Sequence, residues 1–304
     1  MQKSIDISGQ LRASRRRENI AGYVFMTPAL LFFVGFVIFP MGMCLVTSFF
    51  NYTMTDFTFI GIQNYVEAFN SPIFRRAFMN TLRIVVVSVP TVCLFSLWVA
   101  SVTYDMNDRY TSFFRITFYL PVVMGSVAIA VVWKLILRKD DGILTTVLQM
   151  LGLNLQPRFG WLGSPSTALW FIITILFTTS IGQPIVLYIS ALANMDHSLV
   201  EAANVDGATK MQTFWRIKWP QIMPTTLYIL VITTINSFQC FALIELLTSG
   251  GPNHSTDTIM YYIYKVSLDA PYRYGYGSAM GVLLAIIIAI FSAIQFKYAQ
   301  TDNG

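Results

Sequence analysis

Residues 201–224 read EAANVDGATKMQTFWRIKWPQIMP, a polar insert between two long apolar segments. It opens on Glu201-Ala202-Ala203, bends at Asp206-Gly207 and closes on Pro220 and Pro224. Just upstream, Asp196 is suited to cap a short helix that carries Leu199, Ala202 and Ala203 on one side. A second short helix is predicted over 211–219, presenting Phe214, Trp215 and Trp219 before Pro220. The small Ala202 and Ala203 let another backbone approach closely, while Glu201 and Asp206 offer carboxylates. The spacing predicts a helical knob. From spacing alone it either covers its own bundle or meets a partner.

Composition says what surrounds that knob. The chain has 304 residues, 55% hydrophobic and only 12% charged, with mean hydropathy +0.59. A soluble domain carries about 25% charged residues, so the solvent here is mostly lipid. The net charge of +5 fits basic flanks of membrane spans better than a nucleic-acid surface. Cys44, Cys93 and Cys240 lie in apolar runs, with no CxxC or Cys/His ligand spacing. They read as small core hydrophobes, and neither a metal site nor a disulfide framework is expected.

Six stretches approach the roughly 20 apolar residues a helical span requires: 19–55, 84–104, 116–133, 159–195, 219–244 and 274–296. In the first the helix is expected over 23–50. In the fourth, Gly160, Gly163, Ser164 and Pro165 read as loop, so the helix starts near Thr167. Arg15, Arg16 and Arg17 precede the first span, and the positive-inside rule places that end in the cytoplasm. The first span is too long for a signal-peptide core and is expected to be retained. Six spans return the C-terminus to the same side, and with it the loop bearing Lys210, Arg216 and Lys218. Arg75, Arg76, Arg138 and Lys139 then fall outside, against the rule. The expected organisation is a cytoplasmic segment 1–22, one six-span all-α membrane domain 23–298 containing the knob loop 196–224, and a tail 299–304. Outer loops are expected at 56–80, at 140–153 with an amphipathic GILTTVLQMLG, and at 248–276 with a TSGGPN turn before YYIYK.

Pro28, Pro40, Pro90, Pro121 and Pro184 fall within spans, where proline frees a carbonyl and bends the helix. That fits a bundle enclosing a route, and it also fits the ordinary abundance of proline in membrane helices. The fourth span carries Thr178, Thr179, Ser180 and Gln183; the fifth carries Thr233, Thr234, Asn236, Ser237 and Gln239. These neutral groups suit sugar hydroxyls or helix–helix contacts, and helix packing is the usual job of a polar residue in a bundle. No Asp, Glu, Lys or Arg sits at a span centre, whereas proton- and ion-coupled carriers usually need one. Energy for transport is therefore expected from a partner, which argues against a stand-alone secondary carrier or channel.

The run EAA-x-x-DGA-x-x-x-Q-x-F-x-x-I-x-x-P, met here by Glu201, Ala202, Ala203, Asp206, Gly207, Ala208, Gln212, Phe214, Ile217 and Pro220, resembles the EAA loop of ATP-binding-cassette importer permeases of the carbohydrate-uptake branch. PALLFFVGFVIFP, FIGIQNYVEAF and YLPVV resemble the same branch, and LLTSGGPN resembles its F-type subunits from maltose, glycerol-3-phosphate and lactose systems. The resemblance implies an ABC type I importer permease fold, not an enzyme, in a bacterial or archaeal cytoplasmic membrane. It implies that Glu201, Ala202, Ala203, Asp206, Gly207, Ala208, Gln212, Phe214 and Pro220 couple to an ATPase, with Glu201 and Gly207 foremost. It places solute contacts at Gln183, Asn236, Ser237 and Gln239. Implied partners are a homologous G-type permease, two ATPase subunits carrying ATP and Mg, and an extracytoplasmic sugar-binding protein. This chain lacks a Walker motif and is expected to bind no cofactor itself. A glycerol-3-phosphate or other non-sugar permease is the alternative within transport. Ala191 and Asp196 depart from the Gly and Pro common before the EAA segment, and Trp219 replaces the usual Leu.

Overall fold

The computed structural model describes residues 21–104, 106–153, 157–269 and 271–301. The arginines at 15–17 and residues 302–304 of the expected tail lie outside the described residues. Four helices are long and apolar enough to cross a membrane: α1 (Ala21–Thr47), α3 (Pro72–Tyr104), the paired α7 (Ala168–Ser180) and α8 (Gly182–Ala193), and α14 (Tyr274–Thr301). A fifth crossing is a broken pair, α4 (Asp108–Val123) and α5 (Ser126–Ile136), bent by 99°. The stretch 219–244 holds the 20-residue α11 (Trp219–Phe238), which carries four threonines, Asn236 and Ser237 among its apolar residues. The chain is a multi-pass helical membrane protein.

Several boundaries differ from expectation. The second helix begins at Pro72, twelve positions before the expected 84 (84 − 72), because Arg75, Arg76 and Arg83 are carried as a polar extension of the span. The expected single span 116–133 breaks at Met124-Gly125. Pro121 has no N–H for the Thr117 carbonyl, and both break residues are extended. The fifth helix stops at Phe238, and Ala242–Leu247 forms a separate short α12. The amphipathic segment is α6 (Ile143–Met150), and YYIYK lies in α13 (Ile259–Leu268).

The outer segment expected as loop is more ordered than its composition suggests. A two-stranded antiparallel hairpin pairs β1 (Phe50–Tyr52) with β2 (Phe57–Phe59), in register Phe50↔Phe59 and Tyr52↔Phe57. Alternating aromatics supply its contacts, with the Phe50 and Phe57 rings 4.6 Å apart. Asn64 of α2 (Gln63–Asn70) donates to the Ser48 and Phe50 carbonyls, both at 2.9 Å. A Cβ on Gly275 would lie 2.0 Å from Phe50 O, so only glycine lets α14 approach the hairpin.

α3 is the central element, packed on α7, α8, α11 and α13. Ile84, Val92 and Ala100 are fully buried along it; Val92 and Ala100 share a core with Ile185, Tyr188, Ile222 and Ile229, while Ile84 packs with Leu169 and Ile173 of α7. α1 stands apart, with none of its most apolar stretch buried. Its last turn is fastened to α14, where Thr47 donates to Ser278 at 3.0 Å.

Candidate functional site

The knob is built from two short helices, each with a side-chain cap at its start. Asp196 accepts from the Ser198 N–H at 3.0 Å and the Ser198 hydroxyl at 2.6 Å, starting α9 (His197–Val205). α9 ends in a Schellman motif. Ala208 N donates to Ala203 O at 2.9 Å and Gly207 N to Asn204 O at 3.2 Å, with Gly207 at φ +76°. The expected bend at Asp206-Gly207 is therefore a left-handed cap that a side chain would strain.

Thr209 then starts α10 (Lys210–Thr213) through a capping box. Its N–H donates to Gln212 Oε1 at 2.8 Å, and Gln212 N donates to Thr209 Oγ1 at 3.3 Å. The side-chain oxygen of Gln212 is thus engaged within the knob. Phe214 is half-buried and turned toward Trp215 and Trp219. Glu201, Ala202, Asp206, Gly207 and Pro220 are exposed, and Ala203 and Ala208 are half-buried. Val205 is 87% exposed at the tip. Among the described residues, the Glu201 and Asp206 carboxylates have no side-chain partner.

The predicted short helix 211–219 does not stop before Pro220. It runs from Lys210 through a π-turn, Phe214–Lys218, into α11, so residues 210–238 form one rod. Pro220 cannot donate to the Arg216 carbonyl, and the π-turn absorbs the defect, with Trp219 N bonding Phe214 O five residues back. The same device precedes Pro40 in α1, where Phe39 N bonds Val34 O. Lys218 sits over the Tyr104 ring, 3.6 Å from its centroid, tying the end of α3 to the knob.

Along that rod lies a polar cavity of about 190 Å³, lined by Thr179, Ser180, Gln183, Tyr228, Thr233 and Asn236 with Val122 and Leu187. Gln183 and Asn236, expected from different spans, meet here. Gln239 instead lines an adjoining cavity of about 280 Å³ with Ser126, Thr179 and Phe241. Val122 and Thr179 border both. Ser237 is 3% exposed and lines neither. Tyr228 and Ser126 were not singled out from sequence. Tyr228 falls eight residues before Asn236 on the same helix face, a spacing that could have found it.

The site lies where α7 gives way to α8 at Ile181, whose carbonyl accepts from Ser96 at 3.4 Å. Pro184 cannot donate to the Ser180 carbonyl, so backbone as well as side-chain polarity gathers at this break. A Cβ on Gly182 would lie 2.4 Å from Phe118 O, which makes it the contact point of α8 with α4. Among the described residues, no charged side chain lines either cavity. Uncharged hydroxyls and amides can exchange hydrogen bonds with a neutral hydroxylated solute.

The family model described as "Binding-protein-dependent transport system inner membrane component" matches residues 60–300. The chain is 33% identical over 290 residues to the probable ABC transporter permease protein YurN of Bacillus subtilis, covering 94% of this chain and 98% of that one. It is 29% identical to the lactose transport system permease protein LacF of Rhizobium radiobacter, covering 94% and 96%. Among solved structures it is similar to a chain of a bacterial alginate ABC transporter in complex with an alginate pentasaccharide-bound periplasmic protein. There the TM-score is 0.79 at 26% identity, covering 93% of this chain and 94% of that one.

Proposed function

Because the chain belongs to the family of binding-protein-dependent transport system inner membrane components, we propose that it is the permease subunit of an ATP-driven importer. Its cargo is a sugar or oligosaccharide delivered by an external binding protein. The lactose permease relative and the alginate transporter support this class of cargo. The uncharged lining of Gln183, Thr233 and Asn236 favours a neutral hydroxylated solute over glycerol-3-phosphate, whose phosphate would call for a cation.

One observation carries the mechanism: the second half of the knob, from Lys210, and the polar cavity share a single helical rod. Lys210 and Asn236 are separated by 26 positions (236 − 210), about 39 Å of helix. Displacement of Glu201, Asp206 and Gly207 by an ATPase passes through the capped turn at 206–209 into Lys210, and from there reaches Asn236 along continuous helix. ATP, with Mg, is held by two ATPase subunits. Their closure draws the knobs together and opens the cavity outward, and hydrolysis resets it. The knob and both termini lie on the cytoplasmic side.

A homologous second permease completes the route. Tyr228, Asn236 and Gln239 are exposed on one face of this chain. An amide left facing hydrocarbon costs on the order of several kcal/mol, so that face is covered by a partner or by water, not by lipid. The decisive experiment reconstitutes the complex in vesicles and measures sugar-stimulated ATP hydrolysis with uptake. Uptake by this chain with no ATPase subunit present would overturn the reading.

A further inference from the structure

The arginines at the end of α3 opposite the knob have no role in the transport cycle described above. Tyr104, at the other end of α3, meets the knob, and Arg75 lies 29 positions away (104 − 75), about 44 Å along the helix. The hydrocarbon core is about 30 Å thick, so Arg75 reaches the far headgroup layer. Basic residues are depleted on that side of a membrane when the knob is cytoplasmic. Their presence calls for a physical reason.

Arg75, Arg76 and Arg83 line an open groove of about 980 Å³ between α3 and the start of α7, where Leu169, Trp170 and Ile173 form the other wall. No carboxylate lines it among the described residues. Arg76 donates to Asn253 O at 2.8 Å, and Arg83 to Asn80 Oδ1 at 3.3 Å. Asn80 is itself fixed by the Ser255 and Asp257 carbonyls. The nearby Asp257 carboxylate is taken by His254 at 2.6 Å. Two guanidiniums are thus pinned by neutral groups, and among the described residues no carboxylate forms an ion pair with Arg75, Arg76 or Arg83, although Asp257 acts on Arg76 through space.

The exposed face of α3 continues below the arginines as Met79, Val86, Leu94 and Trp98, which are 51%, 59%, 67% and 61% exposed. With Arg75 and Arg83 they make one stripe at helical spacing. Leu94 lies 11 positions beyond Arg83 (94 − 83), about 17 Å deeper in the membrane. A soluble protein docked on the arginines does not reach it. A molecule with an anionic head and a long apolar tail covers both.

We infer that this groove binds an anionic phospholipid. Arg75 and Arg83 contact the headgroup phosphate, Trp170 sits at the interface, and an acyl chain lies along Met79, Val86 and Leu94. A zwitterionic headgroup brings its own cation into a groove that already holds three, so anionic lipid is preferred.

The test uses the full chain with the subunits that co-purify with it, in nanodiscs of equal phosphatidylglycerol and phosphatidylcholine, analysed by native mass spectrometry. Phosphatidylglycerol should be retained over phosphatidylcholine. Arg75→Gln/Arg83→Gln should lower that preference by about fivefold per arginine, and Arg75→Lys/Arg83→Lys should restore most of it. If the double variant does not assemble, Arg75→Gln alone carries the test, since Arg75 makes no hydrogen bond among the described residues. Equal retention of the two lipids by the native complex would overturn the proposal. So would unchanged retention by an assembled Gln variant, or a Gln variant that loses only its affinity for the binding protein.

Discussion

Replacing Gly182 by Ala tests whether the α4–α8 crossing sets the shape of the polar cavity. The added Cβ would stand 2.4 Å from Phe118 O and 2.7 Å from Val122 Cγ2. Phe118 O is backbone within a helix and cannot swing aside, so relief to an ordinary contact near 3.4 Å requires the helices to part by about 1 Å. Overpacking of this kind costs about 1–3 kcal/mol, offset by the roughly 0.5–1 kcal/mol that Ala gains over Gly in a helix. The net expectation is a destabilisation of up to about 2.5 kcal/mol. Val122 of α4 and Gln183 of α8 both line the cavity, so the same displacement stretches contacts made across it. Each hydrogen bond lost to the solute costs about 1 kcal/mol, or about fivefold in affinity. Gly281→Ala is the control, because its Cβ would meet only Cys44 Sγ at 3.8 Å. Thermal unfolding of the purified complex and concentration-dependent uptake should both separate the two variants. Equal melting temperatures and equal uptake would refute the claim that close approach at Gly182 shapes the site.

Gly207→Ala strains a left-handed residue by about 1–2 kcal/mol with no steric clash, since nothing lies within 4 Å of its Cβ. It should weaken coupling of hydrolysis to uptake, and Gly207→Asn, which tolerates that conformation, should retain most of it. Asn236→Ala and Gln183→Ala should raise the solute concentration needed for half-maximal uptake by about fivefold each, with the complex still assembled. Ser237→Ala, outside both cavities, should leave that concentration unchanged. Arg273 clamps Glu67 through both carboxylate oxygens, which holds the Glu67 carboxyl below its ordinary value of 4.5. A depressed carboxyl stabilises the fold fully above the unfolded value and loses that contribution as pH falls through the folded one. Thermal stability should therefore drop below about pH 4.5, and Glu67→Gln should flatten that part of the pH profile.

Much of this site was legible in the sequence because its signals are local. Asp196 and Asp206-Gly207 act within four residues of themselves, so cap and turn follow from residue type and spacing, while the equally local Thr209–Gln212 capping box was shown by the structure. The separate helix expected over 211–219 was wrong for a reason equally physical: proline at the second position of a helix is compatible with continuation when a π-turn precedes it. The hairpin at 50–59 was missed although its aromatics alternate with period two, because membrane hydropathy masks so short a strand signal.

By itself the sequence determined that the chain lives in lipid, that its long apolar stretches carry no Asp, Glu, Lys or Arg at their centres, and that a capped knob interrupts the spans. Each of these follows from side-chain chemistry or from spacing within one turn. Only the tertiary structure decided that Gln183 and Asn236 share a cavity while Ser237 and Gln239 do not. It also decided that α4 and α5 bend by 99°, and that Arg83 joins Trp170 in one groove. Polar residues on a helix look alike along the chain, and which of them meet depends on the rotation and crossing of neighbouring helices. Those are set by close contacts such as Gly182 on Phe118, between residues 64 positions apart (182 − 118).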